Sequence, residues 1–160
     1  MKTPVIHPTV HIAPGAAVVG DVTLEENVNV WYNSVIRADY DSIHIGVGTN
    51  VQDGCLLHIS AGCPVSIGRN VTIGHGAIVH GCSVGDNTLL GMGSIIMDRA
   101  VIGKNCIIAA GALVTGGTVI PDNSLAVGAP ARVIRSTTPD EWEKNRYTAA
   151  HYAEIAPEQF

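Results

Sequence analysis

The chain has 160 residues, 9 basic and 14 acidic side chains for a formal net charge of −5, 4% aromatics and 18 glycines. That length suits a single domain, 1–160, with a sizeable core, and the acidic balance argues against a nucleic-acid or anionic-membrane partner. The N-terminus MKTPVIHPTV lacks the apolar core of a signal peptide and no run reaches transmembrane length, so a cytoplasmic location is expected.

Residues 3–11, with Pro4 and Pro8, read as a capping lead-in. An aliphatic residue then recurs every six positions: Ile12, Val18, Leu24, Val30 and Ile36. The phase resumes at Ile45, Val51 and Leu57, and again from Ile67 through Ile73, Val79, Val84, Leu90, Ile96, Ile102, Ile108 and Val114 to Ile120, with one step of five before Val84. Four residues after many of these sits a small or β-branched residue, as at Val28, Ser34, Cys55, Ala77 and Cys106. A period of six held over most of a chain is the signature of a parallel β-helix. An α-helix needs a period of 3.6 and resists this much glycine, and sandwich strands do not keep a fixed six-residue phase. The fold class is therefore an all-β solenoid of hexapeptide repeats. Each hexad supplies one short strand and a turn, three hexads close a triangular coil, and the aliphatic and small residues stack inward. Coils are expected from about Ile12 to about Pro130. Ala38–Ile43 reads as a small insertion. Ser60–Pro64 reads as a second one, placed to form a lip over His58.

The phase also places the histidines. Arg37, His58 and His80 each directly follow an aliphatic of one face and form an outward column, with rungs about 4.8 Å apart. Asp53 and His75 each lie two residues after an aliphatic of the preceding face and form another. His75 precedes His80 by five residues, roughly 16 Å of extended chain, whereas metal–nitrogen bonds are about 2.0–2.1 Å. One chain is not expected to bring all three together. A threefold oligomer is, if the 58/80 face of one subunit meets the 75 face of the next. Three histidines with one open position is the layout of a catalytic zinc site. On such a metal a water has a pKa of about 7 and is a nucleophile at neutral pH.

Around this cluster, Gln52 is a candidate to bond the hydroxide or a substrate oxygen, and Asp53 to orient an imidazole. Arg37 and Asp39 are candidates for a bidentate pair between subunits. His7, His11, His44 and His151 read as ordinary surface histidines. Cys55 and Cys106 fall in the inward slot as buried thiols. Cys63 and Cys82 are spare candidate ligands that three histidines make unnecessary. After GAPARVIR, Thr138 reads as an N-cap, Pro139 as N1 and Glu141 as the capping-box acid. The helix is expected over about 139–156, lying along the prism, with Trp142, Ala149, Ala153 and Ile155 near one face and Tyr147 and Tyr152 as candidates to reach the site.

The stretch VWYNSVIRADYDSIHIGVGTNVQDGCLLH, followed by IGHGAIVHGC, resembles the gamma-class carbonic anhydrase family of hexapeptide-repeat proteins, and the likeness runs on through GAPARVIR and the C-terminal helix. It implies a left-handed β-helix homotrimer with zinc at the subunit interfaces, iron or cobalt serving in some members. By motif the ligands fall on His58, His75 and His80, the active-site glutamine on Gln52, the intersubunit pair on Arg37 and Asp39, and the helix tyrosine on Tyr152. The implied reaction is reversible hydration of carbon dioxide to bicarbonate, catalysed by a metal-bound hydroxide. One departure stands out. The proton-shuttling glutamates of the strongly active archetype have no counterpart, because Tyr40 follows Asp39 and ISAGCP carries no acid. The alternatives are a hexapeptide acyltransferase or thioesterase acting on acyl-CoA, in which a single histidine acts as base, and a trimeric scaffold with a vestigial metal site.

Overall fold

In the computed structural model, which describes residues 2–160, each hexad folds as a strand of two or three residues followed by a turn. Ile96 pairs with Val114 and Ile102 with Ile120 on neighbouring coils, a step of 18 residues, or three hexads. One face stacks His11–Ile12, Asn29–Val30, Asn50–Val51, Thr72–Ile73, Leu89–Leu90, Ile107–Ile108 and Ser124–Gly128. A second carries Leu56–His58, Ile78–His80, Ile95–Ile96 and Leu113–Val114, and a third Val65–Ile67, Ser83–Val84, Val101–Ile102 and Val119–Ile120. The long strands Ala17–Leu24 and Val35–Ile45 turn the corner and serve both the second face and the third.

One expectation is corrected here. Val5 and Ile6 pair in parallel with Thr23 and Leu24, so the lead-in is already a rung of the solenoid. Its prolines flank the paired residues rather than interrupt them, as an edge strand allows. The small insertion expected at 38–43 is present, and it lies in the middle of the continuous strand Val35–Ile45. Its additional residues are absorbed by a register shift opposite Gly20 and Val22, a bulge that bends the strand. Gly20 is needed at that bend: its φ is +91°, and a Cβ there would meet the Ala38 carbonyl oxygen at 1.9 Å.

The aliphatic of each hexad fills the prism, and Ile36, Val51, Ile73, Val79 and Leu90 have no solvent exposure. The second inward slot is small because its polar members must reach the next coil. Ser34 Oγ donates to the Gln52 carbonyl at 2.7 Å, Thr49 Oγ1 to that of Gly68 at 2.8 Å, and Thr88 Oγ1 to that of Gly103 at 2.8 Å. A buried hydroxyl is thereby satisfied without a water. Cys63 and Cys82, placed by the sequence outside the core slots, are buried with Cys55 and Cys106, and all four are free thiols. Asn70, Asn87, Asn105 and Asn123 take the left-handed conformation at successive turns, with φ of 52–59°. Asn87 Nδ2 donates to Asn105 Oδ1 at 2.9 Å and Asn105 Nδ2 to Asn123 Oδ1 at 3.1 Å.

The C-terminal helix runs Pro139–Gln159, with Thr138 and Glu141 forming the expected capping box. It packs chiefly against Asn29–Val30, Asn50–Val51 and Thr72–Ile73 of the first face. Its buried residues are Asn145, Ala149 and Ala156, whereas Ala153 and Ile155 are only partly covered. Asn145, a polar residue that a hydrophobic stripe does not reveal, donates to the Asn87 carbonyl at 3.2 Å, and Asn87 Nδ2 donates to the Trp142 carbonyl at 3.0 Å. The helix is thus tied to the asparagine ladder. No helix among the described residues is long and apolar enough to cross a membrane.

Gly20→Ala should destabilise the protein more than Gly54→Ala. Both residues have positive φ, a cost of about 1–2 kcal/mol for alanine, but only Gly20 adds a clash with backbone, since a Cβ on Gly54 meets nothing within 4 Å. Urea unfolding of the two variants measures the difference, and equal losses would remove the role given to the bulge.

Glu141 supplies a pH signature. The Arg135 side chain takes it in two hydrogen bonds, Nη1 to Oε2 at 2.9 Å and Nη2 to Oε1 at 2.7 Å, and holds its pKa down from 4.5 to about 2. A carboxylate depressed on folding stabilises the native state above its unfolded value and loses that contribution as pH falls. The expected outcome is a stability loss between about pH 4.5 and 2 that is smaller in Glu141→Gln, read by thermal melts across that range.

Candidate metal centre

Strand geometry sets the histidine pair. In Leu56–His58 and Ile78–His80 the central Leu57 and Val79 point into the prism, so the flanking residues point out. Arg37, His58 and His80 are register partners on three successive rungs. His58 Nδ1 and His80 Nε2 stand 3.0 Å apart. The other nitrogen of each ring meets a carboxylate: His58 Nε2 lies 2.8 Å from Asp39 Oδ1, and His80 Nδ1 is hydrogen-bonded to Asp98. Arg37 pairs with Asp39 within the same chain.

His75 follows Thr72–Ile73 at the corner of the first face, with its Nδ1 2.9 Å from Asp53 Oδ2. Among the described residues no three His, Cys, Asp or Glu side chains of one chain are placed to hold a metal ion.

The tautomers follow from the partners. An ionised carboxylate only accepts, so Nε2–H of His58 and Nδ1–H of His80 donate, and the neutral ring then keeps a lone pair on the remaining nitrogen. The Asp98 carboxyl is held below the usual range chiefly by its hydrogen bond from His80, against a burial effect and with help from Ser60. For Asp39, burial pushes upward, but the His58 hydrogen bond and the Arg37 charge outweigh it. Both acids are therefore ionised at neutral pH. With both rings neutral, two lone pairs would face each other at 3.0 Å, and a shared proton or a metal cation between them relieves that repulsion. Tetrahedral zinc with bonds of about 2.0–2.1 Å would set such nitrogens about 3.3 Å apart, so the pair fits the ion with a small opening. Ligating histidines that hand their other N–H to a carboxylate are the usual surroundings of such a metal.

Asp98 was not singled out in the sequence, although it lies 18 residues after His80, one coil step. The lip Ser60–Pro64 folds back on itself through a Ser60–Cys63 bridge, and its Ser60 hydroxyl supports Asp98.

Gln52 is 5% exposed. Its Oε1 accepts from the His75 backbone N–H at 3.2 Å and its Nε2 donates to Asn50 Oδ1 at 3.1 Å. It therefore fixes the backbone of His75 and keeps one amide hydrogen uncommitted among the described residues. Gln52, His75 and Tyr152 line one cleft of about 440 Å³ between the helix and the first face. Tyr152 packs edge-on to Trp31 at 5.1 Å, and burial together with the Asp53 charge raises its pKa, so it stays protonated. Tyr147 is 70% exposed and stacks on His151, and it is not part of the cleft.

Comparison with known proteins follows from this geometry. A family profile described as "Bacterial transferase hexapeptide (six repeats)" matches residues 81–116. The chain is 49% identical to a Methanocaldococcus jannaschii protein named "Probable carbonic anhydrase", over 94% of this chain and 95% of that one. It is 39% identical to gamma carbonic anhydrase 1, mitochondrial, of Arabidopsis thaliana over 97% of this chain, although it spans only 58% of that protein. The Escherichia coli carnitine operon protein CaiE is 39% identical over 95% of this chain and 78% of its own length. A solved Bacillus cereus structure that carries an acetyltransferase name superposes with a TM-score of 0.96, at 41% identity, covering 98% of this chain and 91% of that one. Three-faced coils with a six-residue phase and a registered histidine pair define the hexapeptide-repeat class of left-handed β-helix proteins. Within that class, the chain belongs to the gamma carbonic anhydrase family.

Gln52→Ala leaves the buried Asn50 Oδ1 and the His75 N–H without their partner. The expected cost is about 1–3 kcal/mol of unfolding free energy, measured by chemical denaturation of metal-free protein. A neutral substitution would mean that Gln52 does not hold His75.

Proposed function

We propose that three chains assemble around a threefold axis and that each interface holds one zinc ion between His58 and His80 of one subunit and His75 of the next, where carbon dioxide is reversibly hydrated to bicarbonate. The observation that carries this reading is the facing pair of ring nitrogens, His58 Nδ1 and His80 Nε2, each ring backed by its own aspartate. His75, with its Nδ1 on Asp53, has its Nε2 left for the same role.

The surface beside the pair supports the assembly. Leu56, Ile78, Ile95 and Leu113 are register partners on the second face. Leu56 is 45% and Ile95 37% exposed. A continuous apolar column next to histidines that lack a third partner is suited to cover by a second copy.

Zinc held by three imidazoles lowers the pKa of a water to about 7 and supplies a nucleophile at neutral pH. The chain's own residues do the rest. Asp39, Asp98 and Asp53 fix the ring orientations, Gln52 anchors His75 and offers its second amide hydrogen to an oxygen of the substrate, and Tyr152 walls the cleft as a neutral phenol. Iron(II) or cobalt(II) would meet the same donors, as imidazole suits all three.

A second reading is acyl transfer or thioester hydrolysis, with His75 and Asp53 as a base and its orienting acid at 2.9 Å. The likeness to a structure bearing an acetyltransferase name also supports it. It uses one histidine and leaves the registered 58/80 pair unexplained.

The test is subunit mixing. A His75→Ala chain and a His58→Ala/His80→Ala chain should each bind no zinc, and mixed trimers should regain part of it, read by metal analysis and by stopped-flow hydration of carbon dioxide. Mixed trimers without zinc would refute the split site. Full zinc occupancy with no hydration in any buffer would favour the acyl-group reading.

A further inference from the structure

The cleft beside His75 is larger than a triatomic substrate requires. At about 440 Å³ it falls in the range of roughly 300–1,000 Å³ typical of sites for organic ligands. The helix packs chiefly on the rungs Asn29–Val30, Asn50–Val51 and Thr72–Ile73, and the cleft extends beyond them over Leu89 and Ile107. The half-buried outward side chains Leu89 and Ile107 form its floor as register partners on adjacent rungs. Met92, an adaptable side chain, stands at its edge.

The helix supplies the opposite wall from Lys144 to Tyr152, eight residues or about 12 Å at 1.5 Å each. Charge distinguishes the two ends. Glu141 also borders the cleft, but Arg135 binds both its oxygens. Lys144 makes no ion pair among the described residues. At the other end, Asp53 stands behind His75 and disfavours an anion.

We propose that this cleft is a binding site for a monocarboxylate with a straight apolar body, of the medium-chain fatty acid type. The carboxylate pairs with Lys144, the chain lies over Leu89 and Ile107, and the far end rests against His75 and Tyr152. A single ammonium suits a monoanion, whereas phosphate recognition gathers several donors. A bound chain closes the approach to His75 from the helix side. The site does not depend on zinc and goes beyond the hydration reading.

The experiment is isothermal titration of the full chain with octanoate, with and without zinc. Saturable binding of one octanoate per chain is expected in both conditions. Lys144→Met should weaken it about tenfold, the scale of one charged hydrogen bond, while octanol should bind parent and variant alike. Ile107→Trp fills the floor and should abolish binding. Should that variant not fold, the exposed Lys144 still decides the head group. Octanoate should also protect His75, and not His44, from diethyl pyrocarbonate in the metal-free protein. Absence of saturable binding, or a Lys144→Met variant that binds octanoate as tightly as the parent, would overturn the proposal. Octanoate binding by a protein that takes up no zinc would sink the hydration reading and leave this one standing.

Discussion

The structure depends on one constraint: the strands of the coils pair in parallel with strands on the neighbouring coils, and the closing strand Ala131–Ser136 runs antiparallel to Ser124–Gly128. Because most rungs are only two or three residues long, such strands are not stable alone, and the ladder together with the inward stack holds each in place. A one-residue slip would turn the aliphatic row outward. The chain therefore cannot lengthen freely between rungs, and extra residues are confined to corners. The bulge opposite Gly20 takes up one excess, and the turn Ser60–Pro64 takes up the other. Both lie next to the histidine column, where Asp39 and Ser60 are delivered to the rings and their partners by these excursions.

Sequence reading succeeded wherever the period held. The inward aliphatics, the small slot, the column of Arg37, His58 and His80 and the separation of His75 all follow from counting. It failed where a local signal imitated something else. Pro4 and Pro8 disguised Val5–Ile6, because an edge rung tolerates neighbours that an inner rung would not. Ala38–Ile43 broke the hexad count, and its strand form was hidden because the register steps from Gly20 opposite Ala38 to Val22 opposite Ile43. Asn145 was missed because its burial rests on a hydrogen bond to Asn87 and not on hydrophobicity. Asp98 was within reach of the same arithmetic that placed the histidines. The cleft was not, since it depends on how the helix packs against the first face.

The site joins two different ways of holding a ring. His58 and His80 are fixed by the ladder, with side chains leaving adjacent rungs in register. His75 is fixed through its own backbone, by the amide oxygen of a buried glutamine. In all three the carboxylate partner comes from another coil: Asp39 lies 19 residues before His58, Asp98 lies 18 after His80, and Asp53 lies 22 before His75. Each imidazole–aspartate pair therefore crosslinks two coils as well as setting a tautomer. The same residues serve the solenoid and the chemistry, so an aspartate substitution would act on both.

The buried thiols give the molecule an internal reporter. All four cysteines are buried, Cys55, Cys82 and Cys106 in the core and Cys63 in the lip, and burial pushes Cys55 up to about 11 and Cys82 up to about 12. A thiol reagent needs the thiolate and a path to it, so the closed coils should be nearly inert to alkylation. Reaction then marks coil opening, and the order in which the four sulfurs are labelled would map how the solenoid unzips from its ends toward its middle.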